Sequence, residues 1–221
     1  MKVSIVMPTY NMQNTIDRAI DSIIKQTYKD WELIIVNDGS IDYTDDLVKE
    51  YIEKDNRIRL CSLYQNQGRA NAYNIGIVQA KADLIAIHNA DDVYYPKKIE
   101  KQIVIFTWNK ILDVLGTGLK IPKYNKKEIA PHQVTAEIYK HMMINHATIM
   151  FKKKWFYKVG GYDTKFKRCV DWDFCCKLFD AGAVMQSINT ILYVWYPNIN
   201  TDGYNESVDA VRKKWEYKTK K

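Results

Sequence analysis

Three places in this chain join an apolar run to polar residues that could do chemistry: Pro8-Thr9-Tyr10-Asn11, Asn37-Asp38-Gly39-Ser40 and Asn89-Ala90-Asp91-Asp92. In open α/β sheets ligands bind outside the carboxyl ends of the strands, which is where such clusters would lie. Taken singly, each is also ordinary turn chemistry, because Asn, Asp, Gly and Pro are the usual turn formers. The third asks for more. Two adjacent carboxylates at the end of a buried strand repel each other unless something cationic sits between them. A hard divalent ion that also holds substrate phosphates is the natural occupant, and a solvated turn capping the next helix is the plain alternative. A further acidic pair, Asp171 and Asp173, opens a helical stretch, where the macrodipole favours carboxylates whatever their function.

The elements that must position these residues alternate between strand and helix over the first half, the pattern of a parallel α/β sheet. Strands are expected at 3–7, 31–36, 57–61 and 84–88, and helices at 14–26, 42–54, 68–80 and 95–107. Pro96 falls in the first turn of the last of these, where its missing N–H is harmless. Between Asp113 and Ala130 the pattern thins to a strand at 114–116 and an exposed loop at 122–127. Beyond it come a strand at 147–151, a short helix at 152–159 and a helix at 171–181 closed by Gly182. Two short strands follow at 184–187 and 191–195, and then an amphipathic helix at 206–217. Neither a repeat nor a linker interrupts the 221 residues, so a single domain with a sizeable core is expected.

Six segments, in order, resemble glycosyltransferase family 2, whose GT-A fold binds a nucleotide-diphosphate sugar. They are Val3 to Asn11, Gln26 to Ser40, Asn66 to Ile77, Ala90 to Pro96, Val159-Gly160-Gly161-Tyr162-Asp163 and Val170-Asp171-Trp172-Asp173-Phe174. The resemblance covers roughly residues 1–196. It implies a Rossmann-like, mostly parallel central sheet flanked by helices, with 1–110 as the nucleotide-sugar half, 111–196 as the acceptor half and 197–221 as a basic C-terminal helix or tail. It also implies roles. Pro8, Thr9, Tyr10 and Asn11 line the base pocket, with Asp38 hydrogen-bonding the base. Gly68 and Arg69 lie near ribose and phosphates, as does the Asn89–Asp91 stretch. Asp91 and Asp92 meet ribose and a divalent metal, Mn²⁺ or Mg²⁺. Asp171 is the catalytic base, with Asp173 as its fallback. The reaction is an inverting single displacement from a UDP-sugar to a hydroxyl of a glycan, lipid-linked glycan or protein, with no covalent nucleophile needed.

The chain also departs from the family pattern. The frequent Asp-x-Asp-Asp begins here with Asn89, a common basic residue is Tyr73, and the histidine of a Tyr-x-x-His element is Tyr196, three residues after Tyr193. These changes bear on the metal more than on the fold, and they keep alive a catalytically silent nucleotide-binding or scaffold protein as the alternative. A nucleotidyltransferase would want a Gly- and Lys/Arg-rich loop after the first strand, which Pro8 to Met12 does not offer. His88 reads as a satisfied, partly buried residue, and His146 as a residue that could face the acceptor. Trp155, Trp172 and Trp195 read as packing residues rather than sugar platforms. The net charge of +7 gathers at Lys152-Lys153-Lys154 and in 212–221, and no nucleic-acid motif accompanies it. A solvated tail, with peripheral contact to an anionic membrane as the alternative, is the expectation. Four scattered cysteines without a CxxC, no signal-peptide pattern and no spanning apolar run point to a reducing, cytoplasmic setting.

Overall fold

Four apolar runs build the first half of the sheet: β1 (Val3–Thr9), β2 (Trp31–Asn37), β3 (Ile58–Ser62) and β4 (Leu84–Ile87). All four run parallel, in the order β3-β2-β1-β4, with Val6 beside Ile34 on one flank and Ile87 on the other. Strands covered on both faces need apolar side chains on both, which is why these runs read as continuous rather than alternating. The computed structural model describes residues 1–197 and 204–219.

Helices α1 (Ile16–Ile24), α2 (Thr44–Lys54) and α3 (Arg69–Gln79) connect these strands. Val3, Ile5 and Met7 face one layer, where Ile16, Ile20 and Ile23 of α1 meet Ile99, Ile103 and Phe106 of α4 (Lys98–Trp108). Val6, Ile34 and Val36 face the opposite layer, against Ala72, Tyr73 and Ile77 of α3. There α3 presses onto the sheet at Gly76, where a β-carbon would lie 2.5 Å from Val6 Cγ1. That close approach fixes where the N-terminus of α3, and so Arg69, stands over the strand ends.

The second half is mixed rather than parallel. Its elements are β5 (Val93–Tyr94), β6 (Val114–Ile121), β7 (Lys126–Glu128), β8 (Met150–Lys152), α5 (Lys154–Lys158), α6 (Val170–Asp180), β9 (Met185–Val194) and α7 (Tyr204–Thr219). Beyond β4 the order continues β8-β6-β9-β5, with β7 paired to β6. Strand β8 runs antiparallel to both β4 and β6, whereas β6 and β9 are parallel to each other. The sheet is thus Rossmann-like at one end and crossed at the other, within one α/β domain flanked by helices.

Several local expectations shift. The helix expected from Tyr95 begins at Lys98 as α4, so Pro96 precedes it, and Val93-Tyr94, given no element by the sequence, form β5 against β9. The expected loop at 122–127 turns through a short 3₁₀ helix into β7, an all-charged strand held by its pairing to β6. The two short strands expected at 184–187 and 191–195 are one ten-residue strand, β9, whose pairing with β6 is interrupted by register shifts around Gly118. The basic C-terminal segment is partly turned inward: Lys214 reaches Asp163 and Asp173, and Lys218 reaches Asp180. Lys220 and Lys221 lie outside the described residues. All four cysteines are free thiols, and among the described residues no helix is long and apolar enough to cross a membrane.

Candidate active site

The loops after β1 and β2 are laced together by their own side chains. Asn11, in a left-handed conformation with φ 54°, accepts the N–H of Ile41 on its side-chain oxygen, while its own N–H donates to Ser40 Oγ at 2.8 Å. Met12 N–H donates to Thr44 Oγ1, and Gln13 N–H to Asp42. Pro8 belongs to the end of β1 and pairs with Val36, Thr9 is buried beside it, and Tyr10 stands exposed at the rim. The Thr9 hydroxyl has no partner among the described residues, and a buried hydroxyl without one calls for a ligand or a water.

Asp38 is 3% exposed, and its two oxygens accept the backbone N–H groups of Gln67 at 2.7 Å and Gly68 at 2.8 Å. Its own N–H donates to Thr9 O at 2.8 Å. The residue expected at the base therefore has a structural task as well. It ties the entrance of α3 to the ends of β1 and β2. Gly39 must be glycine here: its φ is +73°, and a β-carbon would lie 2.5 Å from the carbonyl carbon of Gln65. Gly68, with φ +92°, immediately precedes α3.

The acidic pair lies on the other side of Thr9. Asp92 is fully buried, yet three donors converge on it: Tyr193 Oη–H at 2.7 Å, Tyr196 N–H at 2.8 Å and Asn89 Nδ2–H at 2.9 Å. Tyr73 Oη–H in turn donates to Asn89 Oδ1 at 3.2 Å. Burial, and then the neighbouring charge of Asp91, push the Asp92 carboxyl above the ordinary range. Burial also raises Asp91, against the pull of Arg69 and Arg18. The Tyr196 ring lies under the Arg18 guanidinium at 4.0 Å, and Arg18 also donates to Asp91 O.

Arg69 and Asp171 complete the cluster. Arg69 is exposed at the start of α3; desolvation by the packing around it opposes its charge, but the nearby Tyr73, Asp171, Asp91 and Asp92 hold the guanidinium above its ordinary value. Asp171 sits in the first turn of α6, partly exposed toward this side. His146 is buried rather than facing an acceptor, and its Nε2 lies 2.6 Å from Tyr162 Oη. Burial lowers its imidazole to about 4, against the nearby charge of Asp171. His88 is likewise buried and held neutral, its ring 4.0 Å from that of Tyr94.

Asp173 is corrected outright. It is fully buried on the far side of α6, 2.8 Å from Lys214 Nζ and 3.0 Å from Trp215 Nε1, so it has no access to an acceptor hydroxyl. The sequence reading placed both aspartates at one helix start, but a separation of two residues turns them about 200° apart. It also missed Tyr193, Arg18 and Lys214. Tyr193 was named only as the first residue of the Tyr-x-x-His element and given no role, whereas nothing local signals the other two.

Asp91 and Asp92 offer the oxygen ligands that a hard divalent ion takes, and Asp91 is partly exposed beside the buried Asp92. Among the described residues no group of three or more His, Cys, Asp or Glu side chains gathers to cage a metal. An ion here would therefore need oxygens from a bound diphosphate.

A model of the family described as glycosyl transferase family 2 matches residues 4–179. The chain belongs to that family. An uncharacterized glycosyltransferase of Rickettsia prowazekii is 32% identical over 198 residues, which cover 82% of this chain and 60% of that protein. The Escherichia coli UDP-Glc:alpha-D-GlcNAc-diphosphoundecaprenol beta-1,3-glucosyltransferase is 37% identical over 136 residues, 60% of this chain and 53% of the relative. Proteins of known structure share the fold. Staphylococcus aureus TarS in complex with UDP-GlcNAc superposes with a TM-score of 0.85 at 19% identity, covering 99% of this chain and 66% of that one. A Pyrobaculum calidifontis mannosyltransferase in complex with GDP-Man and Mn²⁺ gives a TM-score of 0.72 at 19% identity, over 93% of this chain and 60% of that one. The chain thus spans well under two thirds of the length of the Rickettsia relative.

Proposed function

We propose that this chain is an inverting glycosyltransferase that moves one sugar from a UDP-sugar to a hydroxyl of a glycan, lipid-linked glycan or protein. The observation that carries the reading is the gathering of Thr9, Asp38, Asp91 and Asp92 at the ends of β1, β2 and β4, with Asp92 fully buried under three converging donors. The first 110 residues hold the nucleotide, with the base against Thr9 and Asp38, and residues 111–196 receive the acceptor. Asp171 accepts the proton of the acceptor hydroxyl as that oxygen attacks the anomeric carbon. Arg69 lies where charge develops on the departing diphosphate. A divalent ion, Mn²⁺ or Mg²⁺, held by Asp91, Asp92 and the diphosphate would supply further charge neutralisation to the leaving group.

The departures from the family pattern do not favour a silent scaffold. Tyr73 and Asn89 form a neutral hydrogen-bonded pair that delivers an N–H to Asp92, so the carboxylate keeps its orientation without a nearby acid–base pair. The UDP and lipid-linked readings draw support from the relatives' names, a UDP-GlcNAc complex and a diphosphoundecaprenol acceptor. The test is nucleotide release from UDP-glucose, UDP-galactose, UDP-GlcNAc, UDP-GalNAc and GDP-mannose, with and without Mn²⁺. Release from one donor, abolished in Asp92→Ala and in Asp171→Asn while Asp171→Asn still binds UDP, is the expected outcome. No release from any donor and no UDP binding by calorimetry would return the chain to the scaffold reading.

A further inference from the structure

Helix α6 starts without the usual devices. Its preceding residue, Cys169, is left-handed at φ 55°, and no side chain caps its first turn. Asp171 belongs to that first turn, so its aim depends on whatever else holds the helix end. The sheet-facing side of α6 supplies part of the answer, through Phe174, Cys175 and Leu178 in the core. The remainder comes from α7.

One ammonium makes the connection. Lys214 Nζ lies 2.8 Å from Asp173 Oδ1 on α6 and 3.1 Å from Asp163 Oδ2 on the loop that leads into it. Trp215 Nε1 donates to the same Asp173 oxygen at 3.0 Å, while its ring stacks on Tyr139 at 5.5 Å. At the other end of α6, Lys218 pairs with Asp180, whose carboxylate also accepts from Tyr139 Oη. Trp172, between the two aspartates, donates from Nε1 to Ile138 O at 2.6 Å. Asp173 Oδ2 is buried without a partner, so the hold on this carboxylate comes through Oδ1, from Lys214 and Trp215. A fully buried carboxylate that lost its cation would relax toward water, and the helix start would move with it.

We propose that Lys214 is a positioning residue for Asp171: by gripping Asp163 and Asp173 together, it sets the angle at which the first turn of α6 presents Asp171 to the cleft. The proposal rests on the reading of Asp171 as the base. It makes α7 part of the catalytic unit, although α7 contributes no group to the reacting atoms. Nothing in the grip reaches the nucleotide side, where Thr9, Asp38, Asp91 and Asp92 are held by other bonds.

The experiment compares wild type with Lys214→Gln, Lys214→Arg and Asp171→Asn in the full chain. Three quantities are read: nucleotide release from the donor that wild type consumes, UDP binding with Mn²⁺ by calorimetry, and amide exchange by mass spectrometry. In Lys214→Gln, kcat should fall on the order of 10–100-fold, the cost of a base misplaced by about an ångström. Donor KM and UDP affinity should stay within about twofold, because the lost contact serves only the transition state. Exchange should quicken across residues 163–175 and stay unchanged over 1–110, and Lys214→Arg should recover most of the rate. Unchanged exchange across 163–175 in Lys214→Gln overturns the proposal by itself, with or without turnover. So does an unchanged kcat, or a loss of UDP binding with faster exchange throughout, which would make Lys214 a general stabiliser. Turnover that survives in Asp171→Asn would instead remove the base reading, leaving the altered exchange to report the grip alone.

Discussion

Tyr193→Phe removes one oxygen, which donates to Asp92 and accepts the backbone N–H of Asn89 at 3.5 Å. Its hydroxyl is one of three donors on a fully buried carboxylate, at 2.7 Å, beside Tyr196 N–H and Asn89 Nδ2–H. The ring itself is fully buried, 5.8 Å from the His88 ring and 5.6 Å from that of Tyr94, so phenylalanine fills the same space. A hydrogen bond to an ionised group contributes about 1.5–3 kcal/mol. Removing it stabilises the protonated form of Asp92 relative to the charged form by that amount, which is about one to two pH units of further rise. Burial and Asp91 already hold this carboxyl above its ordinary value. Mn²⁺ needs the ionised form, so affinity near pH 7 should fall roughly 10–100-fold, as is usual when a ligand loses its supporting donor. The deficit should shrink as pH rises, because alkali deprotonates the variant's Asp92 as well. The assay is Mn²⁺ titration in the presence of UDP, followed by electron paramagnetic resonance at two pH values, with Asp92→Asn as the null control. Wild-type Mn²⁺ affinity in a folded Tyr193→Phe protein would refute the reasoning.

Three other expectations follow from the same bonds. Asp38→Ala strands the buried N–H groups of Gln67 and Gly68, and should cost about 2–4 kcal/mol in urea unfolding together with a loss of UDP affinity; full stability would show that water replaces the carboxylate. His88 and His146 are held neutral by burial, at about 3 and about 4 against an ordinary 6.5. The unfolded chain therefore takes up two protons that the folded one refuses. Stability is full well above pH 6.5 and should fall as pH drops, by up to about 2.7 kcal/mol per pH unit near pH 5, measured against a His88→Gln, His146→Gln control. Lys98 is fully buried, with Gln102 Oε1 at 2.9 Å, the Tyr94 ring at 4.0 Å and the His88 imidazole near enough to feel its charge, and burial drives its amine well below its usual value. Lys98→Met should raise stability near pH 7 by about 1–2 kcal/mol, and a lower urea midpoint would show that the Gln102 bond matters more than the buried charge.

The parallel half of the sheet was legible because each of its strands is a continuous apolar run ending in residues that cannot continue it. Val3 to Met7 or Trp31 to Val36 has no plausible alternative to a buried strand. The crossed half was not legible for the opposite reason: β7 is Lys126-Lys127-Glu128, and only its pairing with β6 makes it a strand. Strand β5 is two residues long and owes its existence to β9, so Val93-Tyr94 carried no strand signal of their own. In the site, residues placed by the strand ends were readable, since Asp38, Asp91 and Asp92 lie where β2 and β4 stop. Asp173 was misread because a helix start says nothing about which of its carboxylates faces inward. The partner that decides the matter, Lys214, lies 41 residues further along.

The late place of β8 in the chain matters for synthesis on the ribosome. Strands β3, β2, β1 and β4 find all their mutual partners within the first 87 residues, so a parallel four-stranded sheet is available long before the chain is complete. One edge of that sheet is β4, Leu84-Ile85-Ala86-Ile87, and its cover, β8, begins only at Met150. At about 5–20 residues per second, the emerging chain carries an unpaired apolar edge for several seconds. The nascent protein is therefore most exposed to misassociation in that interval. Mutations that slow the closing of β8 onto β4 should reduce soluble yield before they alter the finished fold.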